Sequence, residues 1–506
     1  MKQLGIFISV LLWAVLVVAC RPTTSTASGT KAEASEPQKP GYDIKVNISN
    51  PTGTTAMLAY YYGDKQYIKD TVDIVNGSFA FQADTSLDKG IYLIVFPPDN
   101  KYFEVMVDKD QFFEMTTDGA DFVSNMKVKG SKENELFYQD LNFLDSKRKE
   151  VEALNEQMKA AKGAPKEAEL KGQIEGVNQE VKTYREKFVE DNPNFLFTSV
   201  IKAMKDPQVP EAPKGPDGKP LDSLFAFKYY KAHFFDGFSF QDDRLLRTPV
   251  FQQRVNTYID RLTYRNIPDS VIQSIDYMID QARGNDDVFR YLVVYFLNKY
   301  AKNKIMGMDA VYVHMVEKYY MSGDAYWVDD STRNKMIERA TALSPTIIGR
   351  PAPTFTVVDD KGRPQNLSRI DAKWTVIYFW DYGCGHCKKV TPKLSEAFVK
   401  YKLADKGVKI LTININGDVE EWKEKLGEYG LNAEGIINCE DIYRRSGATK
   451  TYDIISTPRM YLLDTEKKVK GKQIGVPQLL KILSIEEKFD VDEADMEEID
   501  FSDIEE

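Results

Sequence analysis

The chain has 506 residues, 42% of them hydrophobic and 12% aromatic, which excludes a disordered protein and implies roughly two to four domains. Its formal net charge of −10 sits essentially in one stretch, Glu486 to Glu506, whose only basic residue is Lys488. The body is therefore near neutral and lacks the basic face that a nucleic-acid partner requires, so no nucleic-acid partner is expected.

Residues 1–19 read as a targeting segment. Lys2 supplies a positive start, and Ile6 to Val18 is an apolar core too short to span a membrane comfortably. The core ends in Val17-Val18-Ala19-Cys20, which resembles the bacterial lipobox. That resemblance implies a lipoprotein signal peptide over 1–19, acylation of Cys20, and a lipid anchor that holds the protein to a membrane without spanning it. An ordinary secretory signal with an incidental cysteine is the alternative. Residues 20–40 are rich in Ser, Thr, Ala and Pro and read as a flexible tether.

From 41 to 130, apolar and polar residues alternate in short runs, such as Tyr42 to Ile48, Ser78 to Phe81 and Ile91 to Phe96. Turn residues separate them, Asn76-Gly77 being a good hairpin signal. Regularly spaced strands predict an antiparallel β-sandwich, with its aromatic residues filling the core rather than lining a groove. From 131 to 345 the period becomes helical, predicting an all-α unit. Lys147 to Glu190 is dense in Lys, Glu, Gln and Ala and is broken at Gly163-Ala164-Pro165, which predicts a charged hairpin of two antiparallel helices. Asp206 to Leu221 reads as a loop. Helices are predicted at Phe225–Phe235, Pro249–Arg265, Pro268–Arg283, Asp287–Lys302, Met308–Tyr320 and Asp329–Ala342. Tyr291, Leu292, Val294, Tyr295 and Phe296 cover most of one helix's circumference, so that helix should be buried. His233 and His314 have no ligand-spaced companions and read as structural.

Residues 346–487 alternate strands with helices and predict a mostly parallel α/β sheet covered on both faces. The chemistry lies here. Thr375 to Trp380 is an apolar, β-branched and aromatic run. A glycine turn follows, then Cys384-Gly385-His386-Cys387 and a helix-compatible segment with Pro392. This predicts a buried strand, a tight turn and a helix whose first turn carries Cys384. Unpaired N–H groups and the positive end of the helix dipole would stabilise a thiolate there. The two-residue spacing puts Cys387 one turn behind, able to close a disulfide. The last residues, 488–506, are too acidic to pack and are expected to be a disordered tail.

Phe379-Trp380, the Cys384 to Cys387 motif, Pro392, and the later run Ser456-Thr457-Pro458 before Arg459 to Asp464 together resemble the thioredoxin family. Ile348 to Phe355 looks like the opening of its TlpA/ResA-like branch. Residues 41–130 resemble the β-domain that precedes thioredoxin modules in Bacteroidota-type lipoproteins. The resemblance implies a multidomain chain with a C-terminal α/β thioredoxin-like fold. It implies a membrane-anchored thiol–disulfide oxidoreductase of the cell envelope, facing the periplasm from the inner or outer membrane, that reduces or isomerises disulfides of envelope proteins. Cys384 would be the nucleophile and Cys387 the resolving thiol of a redox disulfide. His386 would stabilise the thiolate, giving a poise of roughly −180 to −230 mV by analogy with isomerases and glutaredoxins. Pro458 would be cis, with Thr457, Pro458 and Trp380 on the substrate side.

Two familiar proton acceptors are missing. Tyr378 stands where thioredoxins carry a buried aspartate, and Val390 where some ResA-like proteins carry a glutamate. Asp381, His386 or solvent could serve instead. Cys439 reads either as a small buried hydrophobe or as a third redox thiol. Two thiolates and one adjacent His are few ligands for a closed metal site, and no metal or cofactor is expected. The competing function class is a binding or assembly lipoprotein whose CxxC is regulatory or vestigial.

Overall fold

A computed structural model of the chain describes residues 40–160 and 165–497. Residues 1–39, which hold the expected signal peptide, Cys20 and nearly all of the expected tether, and residues 161–164 and 498–506 lie outside the described residues. Among the described residues no helix is long and apolar enough to cross a membrane.

The first unit packs eight strands as two four-stranded sheets. One sheet contains β1 (Tyr42–Ser49), β4 (Ser78–Ala83), β7 (Phe112–Asp118) and β8 (Lys127–Lys129), in the order β4-β1-β7-β8. The other contains β2 (Thr55–Tyr62), β3 (Lys65–Asp73), β5 (Gly90–Phe96) and β6 (Lys101–Val107), in the order β3-β2-β5-β6. Alternate residues of β1, Ile44 and Val46 among them, enter the space between the sheets, as a period of two requires. The sandwich is antiparallel except where β1 pairs parallel with β7, Ile44 opposite Phe113. Asn76 and Gly77 both take positive φ in a tight turn, but this turn joins strands of different sheets. Lys65, Gln66 and Lys69 put charged and polar side chains on the exposed edge strand β3, a composition that disfavours pairing with another chain.

The helical unit opens with α1 (Lys132–Ala160) and α2 (Lys166–Asp191). Asp140 pairs with Arg185 at 3.0 Å and Lys147 with Glu180 at 2.5 Å, so the two helices run antiparallel. A helix the sequence pattern misses, α3 (Leu196–Met204), comes next. It is followed by α4 (Phe225–Ala232), a 3₁₀ turn (Asp243–Arg247), α5 (Pro249–Arg261), α6 (Pro268–Ala282) and α7 (Asp286–Ala301). The unit closes with α8 (Asp309–Met315), continued by a π-helical turn (Val316–Tyr320), and α9 (Asp330–Leu343). The α7 helix is buried on most sides, through Val288, Leu292, Val293 and Phe296. His233 contacts Asp236 at 2.7 Å and His314 contacts Asp276 at 3.0 Å, each satisfied locally.

The sandwich and the helices share one apolar interior running from Tyr42 to Ile347. Residue 130 is therefore no seam in the core. Gly63 N–H donates to Leu246 O at 2.9 Å, Tyr62 donates to Asp287 at 2.7 Å, and Asn134 exchanges two hydrogen bonds with the Met106 backbone.

The last unit has seven strands: β9 (Thr356–Asp359), β10 (Pro364–Asn366), β11 (Trp374–Trp380), β12 (Val408–Asn414), β13 (Ile436–Glu440), β14 (Arg459–Leu463) and β15 (Val469–Lys472). Their order is β10-β9-β13-β12-β11-β14-β15. Of its neighbouring pairs only β11–β12 and β12–β13 are parallel and the other four are antiparallel, so the sheet is mixed rather than mostly parallel. Alternation along β11 fills both faces. Val376, Tyr378 and Trp380 meet α10 (Gly385–Lys400), α11 (Val419–Glu428) and α13 (Val476–Glu487), while Ile377 and Phe379 meet Phe355 and Tyr452 beside α12 (Ala448–Thr451).

The expectation of a loose tail fails between 488 and 497. Phe489, Val491 and Met496 pack on the helix-side core, and Lys400 pairs with Asp492 at 2.6 Å and with Asp495 at 2.7 Å. Composition counted the carboxylates but not the apolar residues between them, nor the lysine facing them.

Candidate active site

Strand β11 is wholly buried at the middle of the sheet, between β12 and β14. It delivers the chain at the carboxyl end of the parallel strands, where α/β sheets place their sites. Asp381 shapes the turn that follows. Its carboxylate accepts from Gly383 N–H at 2.8 Å and from the Asn416 amide at 3.0 Å, while its carbonyl accepts from Cys384 N–H at 3.1 Å. Tyr382 is braced from α11, accepting from Asp418 N–H at 2.8 Å and donating to Glu421 at 2.9 Å. Gly417, at φ 88, passes so close that a Cβ there would meet the Tyr382 hydroxyl at 2.2 Å.

Cys384 occupies the N-cap of α10 and Cys387 lies in its first turn. The described cysteines are free thiols; Cys384 is half-buried, and Cys387 and Cys439 are buried. Cys384 Sγ lies 3.5 Å from Thr457 O. The Thr457–Pro458 peptide is cis, and it brings the start of β14 against the sulfur.

The two thiols are driven apart electrostatically. Burial pushes Cys384 up, but a hydrogen bond from the Thr457 side chain and the amides of Cys387 and His386 outweigh it, so its pKa falls below that of a free thiol. Burial pushes Cys387 far up, and negative charge on Cys384 adds to the rise. One thiol is thus half-exposed with its thiolate favoured, and its partner is held protonated chiefly by burial, with the neighbouring charge adding to it.

Beneath the pair lies Tyr378, whose hydroxyl is 2.8 Å from that of Thr391, both residues being fully buried. Burial, followed by charge on Cys387, raises the Tyr378 phenol well above its ordinary value. The position therefore carries a neutral hydroxyl. Val390 and His386 line the open side.

A groove of about 460 Å³ opens beside the sulfur, lined by His386, Thr457, Pro458, Arg459, Ile474 and Val476 among others. The structure thus sets His386, Thr457 and Pro458 around one opening, with Cys384 beside it against Thr457 O and Cys387 buried in the next turn. Trp380 is not part of it. Its side chain is fully buried, edge-on to Tyr429 at 5.4 Å, so its role is packing under the motif rather than substrate contact. Cys439 lies buried in the core on the opposite face of the sheet from Cys387. Burial first, then the charges of Asp359, Asp360 and Glu440, raise its pKa strongly. Sequence reasoning did not single out Thr391, Asn416 or the segment Gln473-Ile474-Gly475. Among the described residues no group of three metal-ligating side chains is gathered.

Residues 348–472 match the AhpC/TSA family. Residues 42–137 and 170–344 match two domains of unknown function, DUF4369 and DUF5106. The thiol–disulfide oxidoreductase ResA of Bacillus thuringiensis subsp. konkukian is 31% identical over 130 residues, which are 25% of this chain and 71% of that protein. ResA of Bacillus subtilis is 26% identical over 121 residues, 24% of this chain and 64% of its own. Among solved structures, a domain of a possible thiol-disulfide isomerase from Cytophaga hutchinsonii is 31% identical, covering 29% of this chain and 96% of its own at a TM-score of 0.25. A thioredoxin-like protein from Bacteroides caccae is 20% identical, covering 56% of this chain and 99% of its own at a TM-score of 0.41.

Proposed function

The chain belongs to the ResA family of thiol–disulfide oxidoreductases, and we propose that it acts in the bacterial cell envelope on disulfides of other proteins, through Cys384 and Cys387. The Cys384 thiolate attacks one sulfur of a substrate disulfide. A mixed disulfide forms, and the substrate's other sulfur leaves as a thiolate that takes up a proton. Cys387 then loses its proton and attacks Cys384. The second substrate thiol departs, and a Cys384–Cys387 disulfide remains. Two electrons and two protons have passed to the substrate, and an external dithiol donor restores the enzyme.

The observation that carries this reading is the placement of Cys384. It caps a helix, the amides of His386 and Cys387 face its sulfur, and a groove opens beside it. Reduction of insulin disulfides by a soluble form lacking residues 1–20 tests it. Loss of turnover on Cys384→Ser supports an enzyme, whereas full retention would leave only a binding lipoprotein with an idle CxxC.

Anchoring is the second part of the proposal. Cys20 carries the lipid and residues 21–40 tether the folded units to the membrane face, the catalytic unit being directed to the periplasm. The support is the lipobox-like Val17-Val18-Ala19-Cys20. Incorporation of labelled palmitate into the chain, abolished by Cys20→Ala, is the expected result; labelling that survives the substitution refutes it.

A further inference from the structure

The groove beside Cys384 does not end at Pro458. It continues to Gln473, Ile474 and Gly475, the link between β15 and α13. The same three residues, with Gln478, form one wall of a second hollow of about 690 Å³. Its opposite wall belongs to the helical unit: Asn303 to Gly307 in the loop after α7, Tyr312 of α8, and Arg339 of α9. The two hollows meet over the Gln473–Gly475 shoulder.

That shoulder is fixed to the helical unit. The buried Lys472 ammonium pairs with Asp309 and donates to Leu343 O at 3.2 Å, and Arg339 pairs with Asp453 at 2.7 Å. Gln473 itself sits at φ 51, a left-handed conformation that a residue with a side chain seldom takes. Lys472 and Arg339 are thus matched by carboxylates, while two apolar side chains of the loop remain open to solvent. Ile305 is 44% exposed and Met306 41% exposed. Apolar side chains exposed in a cleft mark contact surface, and a flexible thioether tolerates varied partners.

We propose that the helical unit forms the outer half of the substrate site. An extended polypeptide segment carries its disulfide to Cys384, crosses the Gln473–Gly475 shoulder, and lays apolar side chains on Ile305 and Met306. The proposal rests on the oxidoreductase reading above. Two open hollows of about 460 and 690 Å³ that share the Gln473–Gly475 shoulder offer a path to an extended chain rather than one enclosed pocket for a compact ligand. No cysteine lines the second hollow, so its contribution is to binding and not to sulfur exchange.

The test uses the protein with all three folded units and two probes: oxidised glutathione, and a disulfide-bridged peptide with Leu and Phe three to six residues from its cysteine. The Ile305→Asp, Met306→Asp double variant should lower the peptide-to-glutathione ratio of kcat/KM about tenfold. The Ile305→Leu, Met306→Leu variant should restore it. An unchanged ratio, with circular dichroism matching the parent, overturns the proposal. So does a change of oligomeric state in the Asp variant, which would assign the surface to a second copy of the chain. If the parent exchanges with neither probe, the oxidoreductase reading itself fails and takes this one with it.

Discussion

The hydroxyls of Tyr378 and Thr391 lie 2.8 Å apart, both residues fully buried beneath Cys384 and Cys387. Because the phenol is held neutral by burial, it cannot accept the Cys387 proton at physiological pH. Tyr378→Phe should therefore leave the first sulfur exchange intact. It should cost about 1 kcal/mol of stability, the net worth of one buried hydrogen bond whose partner loses its mate. Denaturant unfolding and the rate of Cys384 alkylation check the two halves. A hundredfold drop in alkylation would show that the phenol activates the nucleophile after all.

Cys384 should alkylate with a pH midpoint below that of a free thiol, about 8.5, because fixed amides favour its thiolate. Asp381→Ala releases Gly383 N–H and Asn416 from their shared acceptor and loosens the turn that presents the sulfur. Iodoacetamide rates against pH should show the midpoint rising toward the free-thiol value in this variant. A parent midpoint at or above that value would remove the electrostatic argument for Cys384.

Stability of the reduced protein should fall as the solution is made alkaline. Cys387 and Cys439 both have folded pKa values raised by burial. For such acids the stabilisation is complete below the unfolded pKa. It is lost above about pH 8.5, at about 1.4 kcal/mol per pH unit for each thiol, because the unfolded chain ionises first. Cys439→Ala should remove one thiol's share of that slope. Mild oxidation followed by mass spectrometry should yield only a Cys384–Cys387 disulfide, because Cys439 is walled off on the other side of the sheet.

Equilibration with glutathione should place the dithiol at roughly −180 to −230 mV, the range of isomerases and glutaredoxins. His386 between the cysteines is the reason. A midpoint below about −270 mV, the thioredoxin value, would contradict it.

Truncation after Lys488 should destabilise the C-terminal unit by about 1 to 2 kcal/mol, read as a lower thermal midpoint. It strips Phe489, Val491 and Met496 from the core and leaves Lys400 without Asp492 and Asp495. An unchanged midpoint would show that these contacts add nothing in solution.

The catalytic motif and its strand were legible because they are local. The apolar run of β11, the glycine turn and the first turn of α10 lie within some twenty residues. Helix α3 escaped notice because Asn192-Pro193-Asn194 precedes it and a long loop follows, so its nine residues are framed by breakers. The β1–β7 pairing joins residues about seventy positions apart, and β9 and β14 turn against the central strands. Nothing in a period of two states direction. The residues missed at the site, Thr391, Asn416 and Gln473, have no distinctive chemistry of their own and matter only through what the fold brings next to them.

The undivided apolar interior behind the sandwich and the helices also bears on inheritance. A gene fragment encoding either one alone would expose the part of that interior its neighbour covers, an apolar surface prone to aggregate. Substitutions on that shared surface therefore act on both units at once. The C-terminal unit instead fills both faces of its sheet with its own residues and meets the helices through ion pairs, Lys472 with Asp309 and Arg339 with Asp453.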